Sequence, residues 1–239
     1  MKVTTIIQGS LHKFANQGEH NYDDFTYSRL TDTLDHIGKE FSLDLSKCKL
    51  QNLEVGLNIV PCLKTQELLE NIVIHKGEEF KHVSMKSGNY RQAIHTAYYL
   101  KAYDKALHYN LPDPLFRWEI KMMRSVMIKR HDVTYLSDLY DKRNLERLLK
   151  DLINKWQETL VLDPTIRPTG MTGSEYDKLK TWMYTDYWLK LRKNYSGDKR
   201  HLFTKELKQY KNIVHYHSDN IQQQIAEILK EKMNYCLTH

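Results

Sequence analysis

The sequence predicts an α+β fold, with an antiparallel-rich sheet core, helices on one face of the sheet and a helical C-terminal region. Three observations support this class. Strand-like and helix-like patterns alternate along the first half in the order β-α-β-α-β-β-β. From about residue 134 onward helical patterns dominate. The chain has 239 residues, of which 41% are hydrophobic, so it can bury a core. We therefore expect a sheet-bearing core over residues 1–133 and a helical region over residues 134–239.

The first half contains two predicted helices among five predicted strands. Residues 3–11 are rich in β-branched side chains, which favours a short strand. The segment FTYSRLTDTLDHIGKEF has helical spacing of its apolar residues, whereas residues 53–59 alternate as a strand does. TQELLENIVIH, which begins at Thr65, predicts the second helix. The remaining strands are expected at residues 82–85, 98–105 and 116–122.

The second half contains three long helical patterns. These are YLSDLYDKRNLERLLKDLINKWQETLV, SEYDKLKTWMYTDYWLKLRKNY and DNIQQQIAEILKEKM. A loop is predicted between the first two, because Pro164, Pro168, Gly170 and Gly173 interrupt any regular pattern.

The charge balance favours an anionic partner. Lys and Arg number 36 against 30 Asp and Glu, which gives a net charge of +6 and a pI near 9.0. Nucleic acid is the first expectation, ahead of an acidic protein or a membrane surface. The three cysteines are widely spaced without a CxxC pair, which predicts neither a zinc site nor a disulfide framework and favours a reducing, cytoplasmic setting. No run approaches the ~20 apolar residues of a membrane helix, so we expect no membrane partner.

Three predicted strands each carry one polar face. Alternation places Arg117 and Glu119 on the same side of their strand, opposite Trp118. The same counting groups Glu54 with Asn58, and it separates Leu100, Ala102 and Asp104 from Tyr99, Lys101, Tyr103 and Lys105. If these strands are neighbours, Glu54 and Glu119 share one surface with Lys101, Lys105, Arg117 and one or more tyrosines.

Such a surface has two interpretations. Gathered carboxylates suit Mg²⁺ or Mn²⁺, a tyrosine hydroxyl near such a metal can attack a phosphodiester, and Lys and Arg neutralise the phosphate charge. Alternating charge is also typical of a solvated outer face, where each cross-strand pair contributes only ~0.2–1 kcal/mol. Spacing alone leaves both interpretations open.

Three segments in order resemble one family of DNA-processing proteins. GSLHKFANQGEHNYDDF, LQNLEVGLNI and YYLKAYDKALHY followed by FRWEIK are similar to motifs of phage and plasmid rolling-circle replication initiators of the filamentous-phage gene II/X type. The resemblance covers about residues 6–125, and LSDL at residues 136–139 follows at a family-like distance. It implies a protein that recognises a DNA origin, nicks one strand through a tyrosine and a divalent metal, and rejoins it.

The resemblance also assigns roles to residues. It implies Mg²⁺ or Mn²⁺ held by Glu54 and Glu119, with Asp104 as a further candidate, and Lys105 and Arg117 balancing phosphate charge. The nucleophile stays open among Tyr90, Tyr98, Tyr99 and Tyr103. The partner is expected to be origin DNA, single-stranded or as a hairpin; a homodimer and host replication proteins are open partner expectations.

A basic and aromatic stretch at residues 178–211 is the main candidate for DNA contact outside the core, because Lys and Arg neutralise phosphates and aromatic rings stack on bases. The alternative is that its aromatic residues face the core. The residues expected to bind DNA across the chain are Lys13, Lys101, Lys190, Arg192, Lys193, Lys199 and Arg200.

Histidines offer weaker candidates. His215 and His217 imitate a His-hydrophobic-His metal motif, but helical patterns flank them, and Ser218 and Asp219 favour an N-cap of the following helix. His12 and His20 lie in the first motif and are candidates for phosphate or metal contact, although lone histidines near a loop are more often surface residues.

Two rival functions remain open. One is a non-catalytic DNA-binding regulator or structural protein built on the same scaffold, and the other is a protein-interaction module that meets an acidic partner.

Overall fold

The computed structural model describes residues 5–85, 88–194 and 200–239. It contains helices together with antiparallel sheets, which is the predicted α+β class. The strands are β1 Leu53–Ile59, β2 Ile72–His75, β3 Glu78–Glu79, β4 Lys81–Met85, β5 Gly88–Ile94, β6 Tyr98–Asp104, β7 Phe116–Met122 and β8 Thr159–Val161. The helices are α1 Leu11–Ala15, α2 Tyr27–Glu40, α3 Thr65–Asn71, α4 Lys105–Tyr109, α5 Ser125–Lys129, α6 Lys142–Gln157, α7 Gly173–Trp182, α8 Thr185–Asn194, α9 Arg200–His217 and α10 Ile221–Thr238, with a 3-10 helix at Leu136–Tyr140.

The main sheet has five strands in the order β1-β7-β6-β5-β4, and every neighbouring pair is antiparallel. Its apolar face is buried because alternate residues of the central strands are large and hydrophobic. Phe116, Trp118 and Ile120 of β7 are fully buried, as is Leu100 of β6. The other face carries the polar side chains and positions the candidate site.

Helices α6 and α10 cover the apolar face. The Trp118 indole donates to the carbonyl of Leu152 in α6 at 3.0 Å, and the Trp156 indole donates to the carbonyl of Gln222 in α10 at 2.9 Å. The core around this sheet includes residues on both sides of position 133, since α6 and α10 contribute Leu152, Trp156 and Leu229. The structure therefore ties part of the helical second half to the sheet.

A second core forms around a smaller sheet with the strand order β3-β2-β8. Val73 and Ile74 of β2 pack with Leu160 of β8 and with the helices α7, α8 and α9. Trp182, Trp188 and Tyr210 are buried there, and the Tyr210 hydroxyl accepts from the backbone N–H of Asp163 at 2.7 Å. β2 thus lies between the two cores.

Some predicted elements differ from the observed ones. The strand predicted at residues 3–11 is absent from residues 5–10, which form no regular element. Residue 11 belongs to α1 instead, because the Ser10 side chain caps this helix by accepting from the Lys13 N–H. The helix predicted from Thr65 ends at Asn71, and the β-branched run after it forms β2. Strand β5 had no sequence prediction at all. Among the described residues, no helix is long and apolar enough to cross a membrane.

Candidate functional site

The polar face of the main sheet brings the predicted site residues into adjacent rows. Glu119 of β7 lies opposite Gly56 of β1 on one side and opposite Lys101 of β6 on the other. Arg117 lies between Asn58 and Tyr103 in the same manner. The third row joins Glu54, Lys121 and Tyr99. Residues from three separate sequence segments therefore share one surface.

Glu54 and Glu119 are joined by one ammonium group. The Lys101 Nζ donates to Glu54 Oε1 at 2.5 Å and to Glu119 Oε1 at 2.9 Å. Glu119 has a side chain that is only 6% exposed, whereas Glu54 is 42% exposed. The cluster therefore extends from solvent into a nearly buried position, unlike a pair on a fully solvated strand face.

Arg117 fixes the second carboxylate oxygen of Glu119. Its Nε donates to Glu119 Oε2 at 2.7 Å, and its Nη1 donates to Asn58 Oδ1 at 3.0 Å. A Cβ at position 56 would lie 2.6 Å from the Glu119 Cβ and 2.8 Å from the Arg117 Nη2. Gly56 is therefore needed for the guanidinium to lie across β1.

Tyr103 reaches the same carboxylate. Its hydroxyl donates to Glu119 Oε2 at 3.3 Å. Burial raises the pKa of the Tyr103 phenol well above its usual value, although the nearby Arg117 acts in the opposite direction. Burial also tends to raise the pKa of Glu119, but the charges of Arg117 and Lys101 outweigh it and hold that pKa far below the usual range. Glu119 is thus ionised and Tyr103 is protonated at neutral pH.

Lys105 is a buried lysine at the first position of α4, directly after β6. It is 2% exposed, its Nζ donates to Asn21 Oδ1 at 2.5 Å, and within the described ranges no carboxylate lies at ion-pair distance from it. Burial, followed by the charge of Arg117, lowers the pKa of Lys105 to about 7. Its Nζ lies 5.4 Å from the centre of the Tyr103 ring. Lys13 is near enough for its charge to lower the Lys105 pKa as well.

The first predicted motif closes over this end of the sheet. The Asn58 side-chain amide donates to the carbonyls of Asn21 at 3.2 Å and Tyr22 at 3.1 Å. The Tyr109 hydroxyl donates to Asn21 Oδ1 at 2.9 Å. Asn21 therefore accepts from two residues of α4 while its backbone is held by β1.

Asp23 anchors the same segment. It accepts from His12 Nε2 at 2.6 Å and from Arg29 Nη1 at 2.7 Å, and the Asn16 amide donates to it at 3.0 Å. Burial lowers the pKa of His12 to about 4, against the opposing effect of Asp23, so His12 is neutral at pH 7. His20 Nδ1 lies 3.5 Å from Asp23. These two histidines hold the loop together in this structure.

The remaining tyrosine candidates occupy different positions. Tyr99 is half-buried on the polar face, one row beyond Lys101. Tyr90 of β5 is half-buried and lies directly opposite Tyr103. Tyr98 belongs to the other face, where it stacks on His95 at 4.5 Å, and burial raises its pKa to about 12. Tyr103 is the candidate whose hydroxyl contacts the charged cluster.

Asp104 does not join the two glutamates. Its side chain accepts from the Leu107 N–H at 2.9 Å and so caps α4. Strand alternation also places it on the side of Leu100 and Ala102. Asp104 and Lys105 belong to one sequence motif, but Asp104 caps a helix and Lys105 lies in the candidate site.

The Glu54 and Glu119 carboxylates are not arranged to bind a divalent metal in this structure. Lys101 holds the position between the two carboxylates, and Arg117 and Tyr103 contact the inner oxygen of Glu119. Across residues 5–85, 88–194 and 200–239, no three His, Cys, Asp or Glu side chains are arranged to hold a metal ion. The carboxylate chemistry suits Mg²⁺, but the charge of the pair is already compensated.

The basic stretch behind the second core is partly structural. Trp182 and Trp188 are buried, as the alternative interpretation of this stretch expected. Lys190 and Lys193 are both exposed on α8, while Arg192 lies against the turn at Gly77, where a Cβ would be 2.6 Å from its Nε. Lys199 lies outside the described residues, and Arg200 is the first residue of α9.

The His-Tyr-His motif lies at the C-terminal end of α9, not on a strand. The N-cap of α10 is Asn220, whose side chain accepts from the Gln223 N–H, so the predicted cap at Ser218 and Asp219 is displaced by one to two residues. The Ser218 hydroxyl accepts from the Asn220 N–H at 2.9 Å and stabilises this turn.

Sequence reasoning missed four residues that complete the site. Asn58 was seen only as part of a polar row, and Asn16, Asn21 and Arg29 were not singled out. Several of their contacts are distant in sequence, from 13 positions for Arg29–Asn16 to 88 for Tyr109–Asn21. Asp23, by contrast, lies only 6 positions from Arg29 and 7 from Asn16. The available signal was the clustering of Asn and Asp in the first motif.

Comparisons of the chain with protein-family models, with curated proteins and with solved structures find no match.

Proposed function

We propose that the protein is a DNA-strand cleaving and rejoining protein of the rolling-circle initiator type, with its site on the polar face of the main sheet. One observation carries this proposal. A buried lysine without a carboxylate partner in the described ranges, Lys105, lies beside Arg117 and the Tyr103 ring, and all three come from the motifs that resemble the initiators.

This arrangement supports binding of a phosphate group. Arg117 and Lys13 both disfavour the charged form of Lys105, and Glu119 and Glu54 act in the opposite direction, yet the pKa of Lys105 remains lowered. Positive charge near Lys105 is therefore repelled in the unbound protein. A phosphodiester would relieve this repulsion and would raise the pKa of Lys105. Perturbed buried groups of this kind cluster at functional sites, because binding or catalysis compensates for their cost.

The proposed chemistry is attack of the Tyr103 oxygen on phosphorus. A bond forms between this oxygen and phosphorus, and the bond between phosphorus and one of the two ester oxygens of the DNA backbone breaks. The phenol proton passes to Glu119, which already accepts a hydrogen bond from Tyr103. Lys105, which is about half protonated near pH 7, supplies a proton to the leaving oxygen. Rejoining reverses these steps.

Two features oppose attack in the unbound protein. The pKa of Tyr103 is raised and that of Glu119 is lowered, so proton transfer between them is unfavourable. A bound phosphodiester would draw Arg117 and Lys101 towards itself, which weakens their hold on Glu119 and makes it a better base. The proposal therefore requires substrate to activate the tyrosine.

Other parts of the proposal concern location and partners. Lys190, Arg192 and Lys193 would extend the grip on DNA from the second core, with Lys101 and Lys13 near the site. A cytoplasmic location, a homodimer and contacts with host replication proteins belong to the same proposal. The expected Mg²⁺ or Mn²⁺ enters no step of it, since the donor set does not fit the ion.

A non-catalytic DNA-binding protein is the second candidate. The raised pKa of Tyr103 and the position of Lys101 between the carboxylates favour it. Such a protein would bind DNA with a steep dependence on salt and would leave the strand intact. In that case Glu119→Gln would leave DNA affinity nearly unchanged.

Covalent capture distinguishes the two candidates. The protein is incubated with a pool of end-labelled single-stranded and hairpin oligonucleotides, with and without Mg²⁺ or Mn²⁺, and then denatured on a gel. Strand cleavage by tyrosine predicts a labelled protein band that Tyr103→Phe abolishes and Tyr99→Phe retains. Binding without any such band across the pool would instead support the non-catalytic protein.

A further inference from the structure

The cluster of Glu54, Lys101 and Glu119 has the composition of a metal site with an ammonium at its centre. We infer that Lys101 takes the place of a divalent cation on this face, so that the protein binds a phosphodiester there without a divalent metal. The phosphodiester part of this inference rests on the proposed function, whereas the exclusion of the metal can be tested independently.

All four carboxylate oxygens face a protein cation or donor. Lys101 contacts one oxygen of each glutamate, and Arg117 contacts the other oxygen of Glu119. Lys121 lies 4.0 Å from the second oxygen of Glu54. A metal ligated by these oxygens would have to displace at least one of these groups.

The charge balance also opposes a metal. Two carboxylates are matched by Lys101 and Arg117, with Lys121 at longer range. Burial lowers the pKa of Lys101, but Glu119 and Glu54 outweigh this effect and raise the pKa, so the ammonium stays charged. A divalent ion would add two positive charges to a cluster that is already compensated, at a spacing where repulsion is strong.

The geometry of the ammonium leaves one donor for a ligand. A lysine ammonium carries three N–H donors, and two of them serve Glu54 and Glu119. For the third, the described residues supply no acceptor. The Lys101 side chain is 20% exposed, so a phosphate oxygen can approach it from solvent. This is the role that a metal ion would otherwise have towards the phosphate.

Direct binding of Mn²⁺ tests the inference. Free Mn²⁺ is measured by electron paramagnetic resonance while folded protein is added, and folding of each variant is checked by circular dichroism. Wild-type protein is expected to leave the signal of free Mn²⁺ unchanged at Mn²⁺ concentrations up to about 100 µM. The dissociation constant of wild type for Mn²⁺ is then weaker than about 100 µM. Lys101→Ala is expected to bind Mn²⁺ at least about tenfold more tightly than wild type, because it frees two carboxylates for a hard cation.

Two control variants make the result specific. Lys101→Arg keeps the cation and should bind no more Mn²⁺ than wild type, whereas Lys101→Ala combined with Glu54→Gln should lose the gained site. Wild-type binding of one Mn²⁺ that Glu54→Gln removes would overturn the inference. If Lys101→Ala does not fold, the wild-type measurement still tests the inference, because the inference requires that Glu54 and Glu119 bind no Mn²⁺ in wild type.

Oligonucleotide binding forms a separate arm. Affinity for a labelled single strand should be the same in EDTA as in Mg²⁺ once ionic strength is matched, and Lys101→Ala should lower the affinity in EDTA several-fold. A need for Mg²⁺ in wild type would overturn the inference. Absence of DNA binding under every condition would remove the proposed function and the phosphodiester part, while the Mn²⁺ result would still decide the metal part.

Discussion

Lys105 and Asn21 lie 84 positions apart in sequence, and the Lys105 ammonium donates to Asn21 Oδ1 at 2.5 Å. This contact joins the motif at residues 9–25 to the start of α4, which directly follows β6. It is also the hydrogen bond that holds a buried lysine next to Arg117 without a carboxylate partner in the part of the chain that the structure describes. The properties of this lysine determine how the site responds to pH.

Stability should increase with pH above neutrality because of Lys105. Its pKa is about 7 in the folded protein against 10.5 for an ordinary lysine, so the unfolded chain binds more protons between these values. The free energy of unfolding therefore rises as pH increases from about 7 towards 10. Urea unfolding across this range should show the rise in wild type and a flatter profile in Lys105→Met. Equal pH profiles for the two proteins would contradict the lowered pKa.

DNA affinity should change in the opposite direction. A phosphate binds the charged form of Lys105, and the free protein loses that charge as pH passes about 7. Fluorescence anisotropy with a labelled single strand should show weaker binding at about pH 8.5 than at about pH 6, beyond the change seen in Lys105→Met. Lys129→Met, at the end of α5, serves as a matched surface control, and its profile should follow wild type.

Gly56 should resist substitution. A Cβ added at this position would lie 2.6 Å from the Glu119 Cβ and would also clash with the Arg117 guanidinium. Gly56→Ala should lower the free energy of unfolding by about 1–3 kcal/mol and weaken DNA binding by displacing Arg117. Gly38→Ala in α2 is the control, because its nearest contacts lie at 3.7 Å, and it should be neutral or slightly stabilising. Thermal denaturation measures the change in stability, and fluorescence anisotropy measures the change in DNA affinity. Equal stability of Gly56→Ala and Gly38→Ala would contradict the close packing at Gly56.

The basic end of α8 should contribute charge and no sequence preference. Replacing Lys190 and Lys193 by Gln should reduce the slope of log affinity against log salt by about 1–2, uniformly across DNA sequences. Lys230→Gln is the matched control, because Lys230 already pairs with Glu227 at 2.9 Å on α10. An unchanged slope in the double variant would place the DNA elsewhere on the protein.

The sequence predicted much of the polar face but not its bonding. Alternation in Phe116–Met122 correctly separated Arg117 and Glu119 from Trp118, because strand geometry alone sets this pattern. Periodicity also foresaw that Glu54 and Glu119 could share a surface. It could not foresee that Lys101 lies between them, since registry across three strands depends on tertiary structure.

One long-range contact and two local helix caps explain the other differences. Asn58 donates to backbone carbonyls of the first motif, and no local pattern encodes such a contact. The strand predicted at residues 3–11 is absent at residues 5–10, and residue 11 begins α1 because Ser10 caps that helix. Asp104 became a helix cap for the same local reason.

Mapping the covalent link between protein and DNA tests the central claim most directly. Trypsin separates the tyrosine candidates, because residues 102–105, which contain Tyr103, are released between Lys101 and Lys105, whereas Tyr98 and Tyr99 remain on the preceding peptide. After incubation with single-stranded DNA, mass spectrometry should find nucleotide mass on Tyr103. Nucleotide mass on another tyrosine, or DNA binding that is insensitive to Lys105→Met and Arg117→Met with no adduct, would contradict the account.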